Sequence, residues 1–192
     1  MTFVKRKPVV LHLLGNTGSG KTTLLDFLTS AWPDDITGIS VGREFRKKYP
    51  PEFFEGQAAP AHTEQEAMSM YTDFVTERRD HGYGLIIVDG QPRKQSQVAA
   101  CINNASGLQH DFLLVHADHG IRNDRLDSSR SGSSLELAIR RLDTDYRNQY
   151  EVMVELARLG LELNIVDSGK VDTPRIAMRI WDRYLKGACH EL

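Results

Sequence analysis

The amino-acid sequence predicts a three-layer α/β fold with a central parallel sheet of five strands and helices on both faces. One observation is a series of short, continuous apolar runs, which suit strands buried on both faces. A second is the helical spacing of apolar residues between those runs, and a third is the glycine-rich segment GNTGSGKTT (15–23) directly after the first run. With 192 residues, 40% of them hydrophobic, the chain is expected to form a single domain over 1–192.

Five apolar runs are expected to form the strands. In chain order they are VVLHLL (9–14), ITGISV (36–41), LIIV (85–88), FLLV (112–115) and LNIV (163–166). ITGISV is a weaker candidate than the other four. Because these runs alternate with helical segments, the pattern favours parallel pairing through right-handed crossovers.

Apolar residues at spacings of three and four predict helices over residues 22–31, 63–79 and 135–159. Gly160 is expected to end the last of these, and Thr173 and Pro174 to begin a final helix with Thr173 as its cap. Two stretches, 42–60 and 127–134, fall outside the alternation. The second is small and polar, and we expect it to be a mobile loop.

The composition narrows the classes of partner. A formal net charge of −2 and an isoelectric point near 6.4 give no electrostatic reason to expect a nucleic-acid or membrane partner. Cys101 and Cys189 lack the number and spacing of a disulfide framework or zinc site, which favours a reducing cytoplasm. His116, Asp118 and His119 lack a fourth metal ligand, and His12, within the first apolar run, is expected to be a core residue.

The glycine-rich segment matches G-x-x-x-x-G-K-[ST], the pattern of a phosphate-binding P-loop between a strand and a helix. Its backbone N–H groups are expected to converge on the phosphates of ATP, with Lys21 bridging the β- and γ-phosphates. The Thr22 hydroxyl and Asp89, at the end of LIIVD, are expected to ligate Mg²⁺. The predicted ATP-binding residues are Gly15, Asn16, Thr17, Gly18, Ser19, Gly20, Lys21, Thr22 and Thr23.

Together with the P-loop, five further segments resemble motifs of nucleoside monophosphate kinases, most closely adenylate kinase, in that family's order. They are ISVGREFR (39–46), EGQAAP (55–60), VDGQPRKQSQ (88–97), LLVHADHGIRNDRL (113–126) and AIRRLDTDYRNQYEVMVELARLG (138–160). The resemblance covers roughly residues 8–185. It implies a P-loop NTPase-type kinase with an acceptor-binding insertion at about 42–80 and a short lid at about 127–134.

The resemblance also implies roles for individual arginines. Arg46 and Arg93 would hold the acceptor monophosphate, while Arg125, Arg130 and Arg141 would close over the donor phosphates. The candidate catalytic residues are Lys21, Arg93, Arg125, Arg130 and Arg141. The other arginines considered are interpreted as solvated or ion-paired surface residues, and they are Arg43, Arg78, Arg79, Arg122 and Arg140.

Residues matching the family's acceptor site are expected to bind a nucleoside monophosphate, and they are Val41, Gly42, Arg46, Ala59, Arg93 and Gln97. In adenylate kinases a glutamine at the position of Gln97 bonds the acceptor adenine, so AMP is favoured. Three residues of the acceptor site depart from the family pattern: Val41 replaces a threonine, Arg43 an aspartate and Gln91 an aromatic residue. A fourth departure is in the lid, where Gly132 and Ser133 stand in place of an acidic pair common in relatives. These departures alter the acceptor pocket and the lid and leave the donor loop intact.

The expected function is reversible, Mg²⁺-dependent transfer of the ATP γ-phosphoryl group to a nucleoside monophosphate by a monomeric kinase. Alternative acceptors are UMP or CMP, a deoxynucleotide, or another small metabolite. An alternative of a different class is a non-catalytic, ATP-binding regulatory module. A GTPase switch is the weakest alternative, because DITG (35–38) follows the first helix and the chain has no N-K-x-D motif.

Overall fold

The computed structural model describes residues 7–49, 61–129 and 135–186, apart from the side chains at 61, 126–129 and 135–143. Within these ranges the chain forms five strands and seven helices. The strands are β1 (Val9–Leu14), β2 (Ile36–Ser40), β3 (Leu85–Asp89), β4 (Gln109–His116) and β5 (Leu163–Asp167). The helices are α1 (Lys21–Ala31), α2 (Val41–Lys48), α3 (Ala61–Arg78), α4 (Gln95–Asn104), α5 (His119–Ser129), α6 (Leu135–Arg158) and α7 (Thr173–Tyr184).

The five strands form one parallel sheet in the order β2-β3-β1-β4-β5, which confirms the predicted sheet. In its register, Leu13 lies opposite Asp89 on one side and Leu113 on the other, and Ser40 also lies opposite Asp89. The carboxyl ends of β1, β2 and β3 therefore meet at one edge of the sheet. Open parallel sheets bind their ligands at this edge.

Helices cover both faces of the sheet and complete the predicted three layers. On one face, Leu28 of α1 and Ile180 of α7 belong to a buried cluster with the strand side chains. On the other face, Tyr71 of α3 and Val152 of α6 belong to two further buried clusters. Each fully buried large apolar side chain contributes about 1.5–3 kcal/mol to folding, so these faces hold the helices to the sheet.

Helix α2 occupies part of a stretch that was expected to lie outside the strand and helix pattern. Val41, expected to end the second strand, begins this helix instead. Val41 and Phe45, one turn apart, are buried in a small cluster with Ala67 of α3. A helix of eight residues with two buried positions has too few repeats for periodicity to reveal it. Its position depends on this tertiary contact.

The structure describes the first three residues of the polar stretch at 127–134. Residues 127–129 form the end of α5, so this part is helical and the expectation of a loop was wrong there. Residues 130–134 lie outside the described residues.

The ends of two helices can be compared with the predicted stop and cap. Gly160 follows α6 with a left-handed φ of 68°, and the N–H of Leu161 donates to the carbonyl of Leu156, which confirms the predicted stop. At α7 the prediction was wrong by one residue. The cap is Asp172, whose carboxylate accepts from the N–H of Arg175, and Thr173 is the first helical residue.

His12 is fully buried in the centre of the sheet, as expected for a core histidine. Its Nδ1 lies 2.9 Å from the carbonyl oxygen of Gln91 and its Nε2 lies 3.1 Å from Nδ1 of His110. Because a carbonyl oxygen only accepts, Nδ1 of His12 carries the proton. Burial lowers the pKa of His12 to about 3, so this side chain is neutral near pH 7.

Two features are missing from the part of the chain that the structure describes. No group of three or more His, Cys, Asp or Glu side chains is arranged to hold a metal ion, His116 and His119 included. In the same ranges no helix combines the length and the apolar character that crossing a bilayer requires.

Candidate active site

The predicted phosphate loop joins the end of β1 to the start of α1. A Cβ at Gly15 would lie 2.3 Å from the carbonyl oxygen of Val115, and its φ of 135° also favours glycine. Gly20, with a φ of 93°, precedes α1 without a side-chain hydrogen bond to the helix N-terminus. The first N–H groups of α1 are therefore not occupied by a side-chain cap, as an anion site at a helix N-terminus requires.

Lys21 turns back over this loop. Its ammonium group donates to the carbonyl oxygen of Asn16 at 2.9 Å and to the hydroxyl of Ser19 at 3.4 Å. Burial lowers the pKa of Lys21, and the carboxylates of Asp89 and Asp145 act in the opposite direction. The ammonium group thus lies among the loop atoms, within the electrostatic reach of two carboxylates.

Asp89 lies at the end of β3 and is 4% exposed. Its Oδ2 accepts from the hydroxyl of Thr22 at 2.6 Å and from the hydroxyl of Ser40 at 2.9 Å. The two predicted Mg²⁺ ligands are therefore in direct contact. Ser40 was not identified from the sequence, although its position at the end of the neighbouring strand was a usable signal.

The acceptor side of the predicted site lies on the adjacent part of the same sheet edge. The Arg46 guanidinium on α2 lies above Gly42, where a Cβ would be 3.6 Å from Nη1. Burial lowers the pKa of Arg46, and the charges acting on it include those of Asp89 and Arg93. The structure thus places Arg46 within electrostatic range of both Asp89 and Arg93.

Gln97 has a clear local role in the structure. Its side-chain oxygen accepts from the backbone N–H of Arg93 at 2.7 Å and from that of Lys94 at 3.2 Å, so it caps the start of α4. The side chain is 6% exposed. The amide nitrogen is the part of Gln97 that remains for the predicted contact with a base.

The three acceptor-site positions that depart from the family pattern have different environments. Val41 is buried under α3, whereas Arg43 forms an exposed ion pair with Asp26 at 2.7 Å. Gln91 is 1% exposed, and both polar atoms of its side chain lack a hydrogen-bond partner among the described residues. Ala59, also predicted to bind the acceptor, lies outside the described residues.

On the other side of the loop, Arg125 contacts the phosphate loop directly. Its guanidinium donates to the carbonyl oxygen of Gly18 at 3.3 Å and to that of Ser168 at 2.9 Å. The Ser168 hydroxyl in turn donates to the carbonyl oxygen of Ser19 at 2.7 Å. A cavity of about 150 Å³ opens beside these groups, and it is lined by Gly20, Thr23, Leu24, Val115, Arg125, Ser168, Thr173 and Ile176.

Arg122 differs most from its sequence interpretation, which treated it as a surface residue. It is 1% exposed and is the largest of the fully buried side chains among the described residues. Its Nη2 donates to the hydroxyl of Tyr146, while Nε and Nη1 have no hydrogen-bond partner among the described residues. Its charge also acts on the pKa of Lys21. Arg122 is therefore an unsatisfied buried cation near the phosphate loop, which sequence spacing did not reveal.

Asp145 on α6 was also missed. Its Oδ2 accepts from the Thr17 hydroxyl at 2.6 Å and from the Thr17 N–H at 3.3 Å. Its Oδ1 lies 3.6 Å from the guanidinium of Arg93. Asp145 thus connects the predicted donor loop to a predicted acceptor residue.

Two predicted lid arginines cannot be placed in this geometry. Arg130 lies outside the described residues. Arg141 lies on α6, one turn before Asp145, and its side chain is outside the description.

Comparison with known proteins identifies the fold and leaves the family open. No family model matches this chain. A crystal structure of an unliganded sugar kinase from Janibacter sp. HTCC2649 superposes with a TM-score of 0.62, covering 93% of this chain and 95% of that one at 16% sequence identity. The chain therefore has the fold of a solved kinase, which agrees with the predicted three-layer α/β architecture.

A sequence match was found to the chloroplastic translation initiation factor IF-2 of Phaseolus vulgaris. The two sequences are 26% identical over 164 residues, which is 82% of this chain. This chain spans only 14% of the length of that protein.

Proposed function

We propose that this protein is a nucleoside monophosphate kinase that transfers the γ-phosphoryl group of ATP, reversibly and with Mg²⁺, to a nucleoside monophosphate, with AMP favoured. The observation that carries the proposal is that two sets of positively charged groups lie near each other at one edge of the sheet. Lys21 and the N-terminus of α1 lie on one side, and Arg46 and Arg93 lie on the other, with Asp89 within reach of both.

This arrangement suits transfer between two phosphates. A phosphate monoester is already an anionic nucleophile, so the reaction needs no general base. It needs cations that hold two mutually repelling anions in line and stabilise the charge of the transferring group. Lys21 would stabilise the donor phosphates, and Arg46 and Arg93 would orient the acceptor phosphate.

The donor atoms at Asp89 fit a magnesium ion. Mg²⁺ prefers oxygen ligands and in phosphoryl-transfer sites uses one or two protein groups together with substrate phosphates. The Thr22 hydroxyl and the Asp89 carboxylate are such groups, and Oδ1 of Asp89 accepts no hydrogen bond from the described residues. These two residues would hold the ion, which supplies neutralising charge to the β- and γ-phosphates when bound.

The cavity beside Arg125 supports the assignment of the donor base. It opens next to the N-terminus of α1 and combines apolar walls with the Arg125 guanidinium. A planar guanidinium can stack on a nucleobase, so this cavity would accept the adenine of ATP.

The second candidate is a kinase for a non-nucleotide metabolite. Two observations favour it: the solved structural neighbour is named a sugar kinase, and the oxygen of Gln97 is already used in capping α4. UMP, CMP and deoxynucleotides remain alternatives within the first proposal. A non-catalytic ATP-binding module remains the alternative of a different class.

An acceptor panel tests these proposals. Turnover with ATP and Mg²⁺ would be measured for AMP, dAMP, CMP, UMP and a set of free sugars, in the wild type, Lys21→Ala and the control Lys47→Ala, whose lysine is 65% exposed. We expect the highest kcat/KM with AMP, a roughly 100- to 1000-fold loss of kcat in Lys21→Ala, and near-normal kcat in Lys47→Ala. A pyrimidine or a sugar ranking far above AMP would reject AMP as the acceptor. ATP binding with no turnover of any acceptor would favour the regulatory module.

The proposal includes a monomeric enzyme that acts on small-molecule nucleotides in the cytoplasm, without a nucleic-acid or membrane partner. Its support is the near-neutral formal charge of −2 and the two cysteines, which lack the number and spacing of a disulfide framework; the described one, Cys101, is a free thiol. This thiol is buried, and burial raises its pKa to about 12, so it stays protonated and unreactive. Light scattering of the purified protein would test the monomeric state.

A further inference from the structure

A carboxylate lies in the described active site between the two groups of cations. Asp145 accepts two hydrogen bonds from Thr17 of the phosphate loop and lies 3.6 Å from the Arg93 guanidinium. It also acts on the pKa of Lys21. Its side chain is 16% exposed, so a ligand entering the site can reach it.

The groups that contact Asp145 are groups to which the transferring phosphoryl group would bind. The Thr17 N–H belongs to the loop that would bind the donor phosphates, and Arg93 belongs to the acceptor side. In an in-line transfer, the terminal phosphoryl group lies between the donor and acceptor sites. The carboxylate therefore occupies the region where that group would be bound, and it uses the same hydrogen-bond donor and the same cation.

We propose that Asp145 is a specificity-determining residue that takes the place of the terminal phosphate and is displaced by a nucleoside triphosphate. The inference rests on the proposed function in one respect, the binding of nucleotide phosphates by the P-loop. Asp145 is not a catalytic residue in this proposal, because it leaves the position before the phosphoryl group is transferred.

The consequence is a difference between triphosphate and diphosphate nucleotides. A triphosphate has to break the contacts of Asp145 with Thr17 and Arg93 and place a phosphate near its charge. A diphosphate ends before this position and leaves the contacts in place. Asp145 therefore weakens ATP binding more than ADP binding. In a reversible kinase, this selective weakening brings the affinity for the donor ATP closer to the affinity for the product ADP.

Calorimetric titration of ATP and ADP in the presence of Mg²⁺ tests this inference. The variant is Asp145→Asn, which keeps the shape and an oxygen acceptor for Thr17 while removing the charge. The control is Glu151→Gln, which removes one charge from the same helix at a residue that has no hydrogen bond or ion pair to the loop among the described side chains. We expect Asp145→Asn to bind ATP about tenfold more tightly and ADP within twofold of the wild type. Glu151→Gln should leave both affinities unchanged.

Several other results of these titrations would overturn the inference. If Asp145 only braces α6 against the loop, Asp145→Asn will unfold at a lower temperature and bind ATP as weakly as the wild type or more weakly. Equal gains for ATP and ADP would also overturn the inference, because they indicate general repulsion. An absence of nucleotide binding in both proteins would overturn it together with the proposed function. A selective gain for ATP without turnover of any acceptor would support Asp145 while rejecting the kinase.

Discussion

The hydroxyl of Thr22, in the phosphate loop, donates a 2.6 Å hydrogen bond to the carboxylate of Asp89, 67 residues further along the chain. Ser40 donates to the same oxygen from the end of β2. This contact joins the ends of three elements at the carboxyl edge of the sheet. The proposed Mg²⁺ site therefore depends on the order and register of the strands as well as on the two ligands.

Replacing Asp89 by Asn tests that site. The amide keeps an oxygen acceptor for Thr22 and Ser40 but removes the charge that would hold the ion. We expect the Mg²⁺ concentration for half-maximal turnover to rise about tenfold, with the fold preserved. The control is Asp80→Asn, whose carboxylate is 76% exposed. A Mg²⁺ titration of turnover that is the same in both variants and the wild type would contradict the assignment.

Arg122 offers a test that separates function from stability. A buried guanidinium with unsatisfied donors is costly, so Arg122→Met should leave the free energy of unfolding unchanged or raise it by about 1 kcal/mol. The Tyr146 hydroxyl can bond to water instead, because Tyr146 is 44% exposed. ATP affinity should fall about tenfold as a cation near Lys21 is lost. Urea unfolding and calorimetry would measure these two quantities.

The control for that experiment is Arg179→Met, at an exposed position of α7. It removes the same charge and should change neither quantity. Clear destabilisation of Arg122→Met, together with unchanged ATP affinity, would show that Arg122 serves the folded state and not the ligand.

Gln97→Glu separates the two roles of this residue. A carboxylate still accepts from the N–H groups of Arg93 and Lys94, so the cap of α4 should persist and the free energy of unfolding should stay within about 0.5 kcal/mol. The substitution removes the amide donor that would recognise a base. We expect kcat/KM for AMP to fall at least about tenfold, measured beside thermal unfolding. An unchanged kcat/KM would limit Gln97 to capping.

His12 predicts a pH dependence of stability. Burial lowers its folded pKa to about 3, below the value of 6.5 expected in the unfolded chain. Its contribution to stability is therefore fully present above pH 6.5 and is lost as the pH falls towards 3, because only the unfolded chain takes up the proton. Between pH 6 and pH 4 the expected loss from this group is about 1 kcal/mol per pH unit.

The measurement is urea unfolding at several pH values for the wild type, His12→Asn and the exposed control His81→Gln. The charges of His110 and Asp111 act on the pKa of His12, and the carbonyl oxygen of Gln91 accepts a hydrogen bond from its Nδ1–H. His12→Asn should be less stable at pH 7.5 and should lose this part of the slope. His81→Gln should keep it, and equal slopes in all three proteins would contradict the neutral, buried state of His12.

The sequence was sufficient for features that depend on neighbours along the chain. The continuous apolar runs predicted all five strands, because a strand buried on both faces leaves no room for polar alternation. The order of strand, glycine-rich loop and helix around Lys21 was also readable, because close backbone approach and a left-handed φ require glycine there.

Only the tertiary structure decided which distant side chains surround that loop. Asp145 meets Thr17 across 128 residues, and Arg122 of α5 is buried with its guanidinium against Tyr146 of α6. No local pattern distinguishes such an aspartate or arginine from those on a solvated helix face. Their chemistry depends on packing, because burial and proximity, and not residue type, determine whether a charge is exposed, paired or available to a ligand.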